Sequence, residues 1–358
     1  MVEDRLLRLR EVLETAQLDA IFLASSVQLY YFCGFNGSDG GLLVFRDHVI
    51  FLTDSRYTTQ ARSEVSANEI VEYRSKQEGV TEALRRCKAR RIGFEAEQLS
   101  VAALERLRRS GDDAFEWVAL EKELVALRGV KSPEEISLLD QAAHLNEMAF
   151  NEILPLLRPG TPEKEVAMAL EFALRRHGGE EKSFDFIVAS GERGALPHGV
   201  ASEKRLAAGE LVTIDFGTRF CGYCSDETVT VAIGPVSQRL RELFELVLAA
   251  HDRAMARVRP GVSLLEIDRA ARSWISRHGL GGSFGHGLGH GVGLEVHEYP
   301  TVSPRSESVA CEGMVFTIEP GVYLPSVGGV RIEDTVVVTA TGCRSLTRIS
   351  KRFRSLPL

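Results

Sequence analysis

Three carboxylates interrupt apolar, β-branched stretches in the C-terminal half of the chain. The stretches and their acids are Val212–Phe216 with Asp215, Val315–Glu319 with Glu319, and Val330–Glu333 with Glu333. Each stretch predicts a strand of a packed core, where an ionised carboxylate without a partner costs several kcal/mol. Arg331 is the only lysine or arginine in these stretches, so the pattern indicates that metal ions supply the missing positive charge.

A fourth acid, Asp226, follows Asp215 by eleven residues (226 − 215). Residues 211–217 and 225–233 predict two strands joined across a glycine-containing turn. Pairing in such a hairpin brings side chains from the two strands into the same neighbourhood, so we expect the two aspartates to lie close together.

Candidate imidazole ligands lie in the glycine-rich stretch 284–298, which holds His286, His290 and His297. The glycines disfavour a stable helix, so His286 and His290 are not predicted to form an i, i+4 zinc pair on a helix. The sequence instead predicts a glycine-rich strand pair in which backbone packs tightly and imidazoles point toward a site.

The bulk composition is that of a globular protein. The chain has 358 residues, 44 % hydrophobic and 26 % charged, with a net charge of −7. This balance argues against a general nucleic-acid binder or a binder of anionic membranes. No run of about 18 apolar residues predicts a membrane span, and the charged N-terminus does not resemble a signal peptide.

Six cysteines are spread through the chain without a framework spacing, which is typical of reduced thiols in the cytoplasm. Cys221 and Cys224 form a lone CxxC pair, for which a redox or zinc role stays open beside a purely structural one.

Two domains are expected to position these residues. Residues 1–125 predict a small α/β domain, and residues 126–358 predict the domain that carries the candidate site. Ser132, Pro133 and Glu135 predict the start of a long helix that runs to about Leu157, with a capping serine, a proline in the first turn and a glutamate at the third position.

The second domain contains an internal repeat. Arg158-Pro159-Gly160 recurs as Arg259-Pro260-Gly261, and Arg176-His177-Gly178 recurs as Arg277-His278-Gly279, both at an offset of 101 residues (259 − 158 and 277 − 176). Two half-domains of this kind would combine their strands with helices outside, related by a pseudo-twofold axis. A site on that axis collects ligands from both halves, as the positions of Asp215 and Glu319 suggest.

Five residues in this order and these contexts resemble the dinuclear metallopeptidases of the pita-bread fold, and the resemblance covers the whole chain. The five are Asp215, Asp226, His290, Glu319 and Glu333. The N-terminal stretches Tyr31–Gly40 and Asp54–Ala61 are similar to the first domain of the proline-specific branch, which includes aminopeptidase P and prolidase. The resemblance implies an α/β (α+β) fold, with a creatinase/prolidase-type N-terminal domain before a pita-bread domain.

The resemblance also implies metal ligation by all five residues. Asp215 would bind one metal ion, His290 and Glu319 the other, and Asp226 and Glu333 would bridge the two. Oxygen-rich ligation with one histidine favours Mn²⁺, with Co²⁺, Fe²⁺ and Zn²⁺ as alternatives. The two ions would hold a bridging hydroxide that attacks the peptide carbonyl.

Further roles follow from the same resemblance. The implied catalytic residues are His198, His297 and Glu319, with Glu319 carrying the proton during attack. The implied substrate-binding residues are His286, Tyr323 and Arg331. The chain departs from the proline-specific branch at Val229, where an arginine is common, so the ion pairing behind Asp226 is expected to differ.

The expected function is a metal-dependent Xaa-Pro peptidase that cleaves between an N-terminal residue and a following proline. Alternatives are an Xaa-Pro dipeptidase restricted to dipeptides, a creatinase-like enzyme, and a non-catalytic binding protein of the same fold. The expected partner is a peptide with proline at the second position, without nucleic acid or membrane, and the family suggests a cytoplasmic homodimer.

Purely structural roles are the alternative for several of these residues. A single acid in a strand is often structural, and Tyr323 and Arg331 could serve packing alone. His177 and His278 are expected at the C-terminal ends of helices, and His48 and His251 at the surface.

Overall fold

The computed structural model describes residues 2–112 and 114–358 and divides the chain into two compact units between Leu127 and Arg128. This division lies two residues beyond the domain boundary expected from the sequence (127 − 125). Within the described ranges, no helix combines the length and apolar character needed to cross a membrane.

A six-stranded sheet forms the centre of the first unit. Its strands are β1 (Ala20–Leu23), β2 (Gly41–Val44), β3 (Val49–Thr53), β4 (Glu69–Glu72), β5 (Arg91–Glu95) and β6 (Glu116–Leu120). They lie in the order β4-β3-β2-β1-β5-β6. Strands β2 and β3 pair antiparallel as a hairpin, with Val44 opposite Val49. Strands β1, β2 and β3 are buried along their whole length, as their apolar residues require.

Helices connect and cover these strands. They are α1 (Val2–Thr15), α2 (Ser26–Cys33), α3 (Thr58–Glu64), α4 (Lys76–Arg86) and α5 (Val101–Ser110), and α6 (Lys122–Gly129) follows the sheet. Serine side chains cap α2, α4 and α5 by accepting a hydrogen bond from a backbone amide of the first turn.

The second unit contains two pairs of helices. They are α7 (Pro133–Ile153) with α8 (Glu163–Arg176), and α9 (Gln238–Met255) with α10 (Leu264–Arg277). The capping box of α7 is present as predicted, with Ser132 and Glu135 each bonded to the backbone of the other. The helix ends at Ile153, four residues before the predicted Leu157, and a short 3₁₀ turn follows. Pro155 explains the early end, because it lacks an amide hydrogen and crowds the preceding turn.

The strands of the second unit form two main sheets and two small ones. The strands are β7 (Glu181–Lys182), β8 (Ile187–Ser190), β9 (Leu211–Phe216), β10 (Thr218–Phe220), β11 (Tyr223–Cys224), β12 (Glu227–Ile233), β13 (Gly289–Gly291), β14 (Glu298–Val302), β15 (Val315–Ile318), β16 (Gly321–Leu324), β17 (Gly328–Arg331), β18 (Asp334–Val338), β19 (Cys343–Ser345) and β20 (Ser355–Leu356). The main sheets have the orders β20-β12-β9-β8 and β14-β13-β15-β18-β19, and the small ones are β11-β10-β7 and β16-β17.

The internal repeat is visible in the helices. The bounds of α8 and α10 differ by 101 residues at both ends (264 − 163 and 277 − 176). Helix α8 contributes Val166 and Leu170 to a core with strands of the four-stranded sheet. Helix α10 contributes Ile267 and Ala271 to a second core with strands of the five-stranded sheet. The two main sheets are therefore the equivalent halves that the repeat predicts.

Two histidines lie at helix ends, and a third is buried in a helix. His177 and His278 are the C-terminal caps of α8 and α10, as expected. The prediction of a surface position was wrong for His251, whose side chain is 4 % exposed on α9. There the imidazole Nε2 lies 3.2 Å from Oδ2 of Asp334, and Nδ1 lies 3.3 Å from Oδ1 of Asp252.

The strand predicted at Val330–Glu333 ends at Arg331, and a second strand begins at Asp334. Strand β17 pairs with β16, whereas β18 pairs with β15 in another sheet. The chain changes sheets at Ile332 and Glu333, and the amide of Glu333 donates to the carbonyl of Thr228 over 3.2 Å. This change of sheet takes Glu333 out of the regular strand and leaves its side chain between the two halves.

Candidate active site

One cavity of about 500 Å³ in the second unit is lined by all ten residues that the sequence singled out. The ten are Asp215, Asp226, His290, Glu319, Glu333, His198, His297, His286, Tyr323 and Arg331. They come from both halves of the repeat, as the pseudo-twofold interpretation predicts. The geometry therefore places the candidate metal ligands, proton carrier and substrate-binding residues within one enclosure.

The two aspartates reach the cavity from the predicted hairpin. Asp215 lies in β9 opposite Thr228 of β12, and Asp226 lies in the two-residue break before β12. The hydroxyl of Thr335 donates to the Asp226 carbonyl over 2.8 Å. Because Thr335 belongs to β18, this bond ties the backbone of Asp226 to the other half of the unit.

The position of His290 depends on its neighbouring glycines. A Cβ at Gly289 would lie 1.9 Å from the carbonyl oxygen of Thr317, and one at Gly291 would lie 2.3 Å from that of Tyr299. Only glycine permits this close approach of β13 to its two neighbouring strands. Of the predicted strand pair, β13 lies within 284–298, whereas its partner β14 begins only at the last residue of that stretch and the rest is irregular.

The imidazole of His290 is aimed at acids. Its Nδ1 lies 3.2 Å from the Gly291 carbonyl, so the geometry suits a proton on Nδ1 and a free lone pair on Nε2. Nε2 lies 3.3 Å from Oε1 of Glu319 and 3.6 Å from Oδ2 of Asp226. Hydrogen bonding of one ring nitrogen to a carbonyl is the usual arrangement of a histidine that ligates metal through the other.

Ligand atoms of Asp226, His290 and Glu333 lie within 4.8 Å of one another. Glu333 is held in place by the Thr228 hydroxyl, which donates to Oε2 over 2.6 Å. Glu319 receives a bond of 3.2 Å from the hydroxyl of Thr317. The two threonines are site residues that the sequence reasoning did not single out, although both are polar positions in apolar strands.

Burial and mutual repulsion perturb the acids. Burial, then repulsion from Glu333, raises the pKa of Asp226 well above its usual range. Burial, then repulsion from Glu319, does the same to the pKa of Glu333. For Glu319, burial is outweighed by the hydrogen bond and charge of His290, and the pKa is lowered. Asp226 and Glu333 therefore lack the nearby positive charge that ionised, buried carboxylates require.

Arg331 is the one lysine or arginine that lines the cavity within the described part of the chain. Its Nη2 donates to Oδ2 of Asp215 over 2.5 Å, which leaves Oδ1 of Asp215 buried and, among residues 2–112 and 114–358, without a hydrogen-bond partner. An unpartnered carboxylate oxygen is an open coordination position. Together with the oxygen-rich donor set, it shows that the residues present fit hard or borderline divalent ions.

The same cavity lining holds the candidate substrate-binding residues. Nε2 of His286 lies 3.0 Å from the hydroxyl of Tyr323, which accepts a bond of 2.9 Å from Nη1 of Arg331. Burial lowers the pKa of His286 and raises that of Tyr323. A neutral imidazole and a neutral phenol therefore form a weakly polar surface next to the acids.

His198 and His297 are exposed at the cavity and line it from two different loops. The ring of His297 lies 4.2 Å from that of His290 in an edge-to-face arrangement. Burial, then repulsion from His290, lowers the pKa of His297. Apolar residues that the sequence did not single out complete the lining, including Phe184, Ile187 and Val296.

Comparison with known proteins identifies relatives along the whole chain. A model of metallopeptidase family M24 matches residues 137–340, and a model of the creatinase/prolidase N-terminal domain matches residues 5–130. The Xaa-Pro dipeptidase of Pyrococcus furiosus is 37 % identical over 352 residues, which cover 98 % of this chain and 100 % of that protein.

Solved structures give the same picture. The Xaa-Pro dipeptidase from Bacillus anthracis matches with a TM-score of 0.96 and 38 % identity, covering 100 % of both chains. The X-Pro aminopeptidase from Thermotoga maritima matches with a TM-score of 0.89 and 37 % identity, covering 95 % of this chain and 98 % of that one. These matches confirm the expected α/β class and the order of an N-terminal domain followed by a pita-bread domain.

Proposed function

Because the chain belongs to metallopeptidase family M24, we propose that it hydrolyses the bond between an N-terminal residue and a following proline. Membership makes the chain an enzyme that uses divalent metal. The observation that carries the proposal is the convergence of five candidate ligands with His286, Tyr323 and Arg331 on one cavity.

We propose that two divalent ions bind there, with Mn²⁺ the first candidate and Co²⁺, Fe²⁺ and Zn²⁺ the alternatives. Asp226, His290 and Glu333 form one close set, and Asp215 and Glu319 line the same cavity. When bound, the ions supply positive charge that acidifies water and polarises the scissile carbonyl.

The protein side chains do the rest of the work in this proposal. Glu319 accepts the proton that leaves the attacking water, then passes it to the departing proline nitrogen. His198 and His297 donate hydrogen bonds to oxygens of the substrate as negative charge develops. His286 and Tyr323 receive the proline ring, and Arg331 faces the substrate carboxylate or the next carbonyl.

The length of the substrate is a finer question. The relatives named Xaa-Pro dipeptidase favour dipeptides for this chain. The similarity to an X-Pro aminopeptidase keeps longer peptides as the second candidate. We therefore propose an Xaa-Pro dipeptidase first, and an aminopeptidase active on longer peptides second.

A comparison of two substrates tests this choice. Ala-Pro and Ala-Pro-Ala share the first two residues and differ only beyond the proline, so kcat/KM for the two isolates the effect of length. We expect hydrolysis of Ala-Pro to exceed that of Ala-Pro-Ala. Faster cleavage of the tripeptide would select the aminopeptidase.

Metal removal tests the proposal as a whole. Purified protein treated with a chelator should lose hydrolysis of Ala-Pro and regain it with Mn²⁺ or Co²⁺. Ala-Ala-Ala serves as the control peptide, since it lacks proline at the second position. Full activity in metal-free protein, or equal cleavage of Ala-Ala-Ala, would contradict the proposal.

We also propose a homodimer in the cytoplasm. The six cysteines are free thiols, which is typical of a reducing compartment. Light scattering coupled to size-exclusion chromatography and cell fractionation test the two parts separately, and a monomer or a secreted protein would contradict them.

A further inference from the structure

A second group of buried charges lies beside the cavity but does not line it. This buried charge cluster consists of Glu227, Asp334, Lys351 and His251. Nζ of Lys351 lies 2.5 Å from Oε1 of Glu227 and 3.7 Å from Oδ1 of Asp334. His251 closes the far side, where its Nε2 lies 3.2 Å from Oδ2 of Asp334.

The two acids of the cluster are chain neighbours of two candidate ligands. Glu227 follows Asp226 at the start of β12, and Asp334 follows Glu333 at the start of β18. These strands belong to the two different main sheets. A single ammonium group therefore lies near the side chains of both residues that follow Asp226 and Glu333, from opposite halves of the unit.

Solvent does not screen these contacts. The Glu227 side chain is 0 % exposed and the Lys351 side chain is 8 % exposed. Burial opposes the charge of Lys351, but Glu227 and then Asp334 outweigh it and raise the pKa of the amine. The backbone amide of Ile349, two residues before Lys351, donates to Oε1 of Glu227 over 3.3 Å. This second bond fixes the orientation of the Glu227 carboxylate as well as its distance from Lys351.

We propose that Lys351 is a positioning residue that holds Asp226 and Glu333 at the separation needed to share metal ions. The proposal rests on the proposed metal site. Lys351 touches neither ligand directly and acts through Glu227 and Asp334.

If the charge of Lys351 were its whole effect, removing it would change the metal affinity in the opposite direction, which makes the proposal testable. A buried cation repels bound metal ions, so removing its charge would strengthen their binding if charge were its whole effect. Loss of a residue that orients ligands instead weakens metal binding, typically about 10- to 100-fold. The direction of the change in metal affinity therefore separates the two roles.

The test measures Mn²⁺ affinity directly, by the electron paramagnetic resonance signal of free Mn²⁺ during titration of metal-free protein. Lys351→Met removes the ammonium, and Lys351→Met combined with Glu227→Gln removes the ion pair without leaving Glu227 charged. Lys351→Arg keeps a cation at the position. Lys164→Met is the matched control, because Lys164 forms an exposed ion pair with Glu203.

We expect the dissociation constant for Mn²⁺ to rise about 10- to 100-fold in both Lys351→Met variants. Lys351→Arg should restore most of the affinity, and Lys164→Met should leave it unchanged. Circular dichroism and thermal unfolding of the metal-free variants report whether they fold.

Unchanged or tighter Mn²⁺ binding in the folded double variant would overturn the proposal. Failure of the double variant to fold would also overturn it, because Lys351 would then serve the fold rather than the metal site. An unmodified protein that neither binds Mn²⁺ nor cleaves Ala-Pro would instead refute the proposed function.

Discussion

Nη2 of Arg331 lies 2.5 Å from Oδ2 of Asp215, although 116 positions separate the two residues in the chain. Arg331 comes from the second half of the repeat and Asp215 from the first. The same guanidinium donates to the Tyr323 hydroxyl over 2.9 Å and to the Pro197 carbonyl over 3.1 Å. One side chain thus connects a candidate metal ligand, the candidate substrate-binding residue Tyr323 and the loop that carries His198.

Replacing Arg331 by lysine should lower kcat/KM for Ala-Pro by about 10²-fold, because an ammonium cannot bond all three partners in a fixed plane. Steady-state kinetics at saturating Mn²⁺ measures the change. Arg344→Lys, at an exposed pair with Asp140, is the control and should be neutral. A kcat/KM within twofold of the unmodified enzyme would show that Arg331 serves packing alone.

Glu319→Gln should reduce kcat by at least about 10²-fold, since general acid–base catalysis supplies about 10²- to 10⁴-fold and the amide cannot accept the proton. The carboxyl of Glu319 also lies 3.3 Å from His290, so Mn²⁺ content must be measured on the same samples. Glu312→Gln, on an exposed turn, is the matched control. A metal-loaded Glu319→Gln variant with near-normal kcat would assign proton transfer to another group.

Tyr323→Phe should raise KM for Ala-Pro about tenfold with a smaller change in kcat. The variant keeps the ring that is proposed to face the proline but loses the hydroxyl bonded to His286 and Arg331, and such a bond contributes about 1 kcal/mol. Tyr299→Phe loses one hydroxyl bond, to Ser308, outside the cavity lining and should leave KM unchanged. A loss of kcat without a change in KM would place Tyr323 in the chemical step instead.

Metal binding should release protons and weaken as the pH falls. Burial and repulsion raise the pKa values of Asp226 and Glu333, so metal-free protein holds protons that a divalent ion must displace. Calorimetric titration of Mn²⁺ in two buffers with different ionisation enthalpies measures the protons released. Equal observed enthalpies in the two buffers would contradict the prediction.

The same raised pKa values govern the stability of the metal-free protein. Folded Asp226 binds a proton more tightly than the unfolded chain does, so its contribution is complete below the ordinary pKa of 3.8 and is lost as the pH rises through the raised value. The metal-free protein should therefore lose thermal stability as the pH rises over this range. Metal-loaded protein is the control, because bound ions hold the carboxylates ionised.

The structure brings the candidate ligands to one cavity, and each of them has a local signature in the sequence. Asp215 and Glu319 stand in apolar runs, and the 101-residue repeat indicates that the two halves meet at one site. Glycines around His290 predict close backbone packing, and the structure shows the backbone oxygens that a Cβ would strike. The apolar runs and the glycines are recognisable because they depend on residues near one another in the chain, and the repeat because its markers recur at one offset.

Long-range partners are harder to predict. His251 lies in an amphipathic helix, and its burial depends on Asp334, 83 residues later (334 − 251). Lys351 stands in a basic, polar segment that gives no sign of burial, and it meets Glu227 only because β20 pairs with β12. The break at Glu333 likewise depends on a change of sheet, which strand propensity along 330–338 does not encode.

Strand β12 leaves the ribosome long before the segment that completes its surroundings. Glu227 is separated by 124 residues from Lys351, and β20 follows a few residues later. A nascent chain that has reached Glu333 thus carries every candidate ligand but lacks the strand and the ammonium group that fix two of them. Translation therefore delivers the ligands first and their support last, so hydrolytic competence should appear only when this late segment has been released and docked.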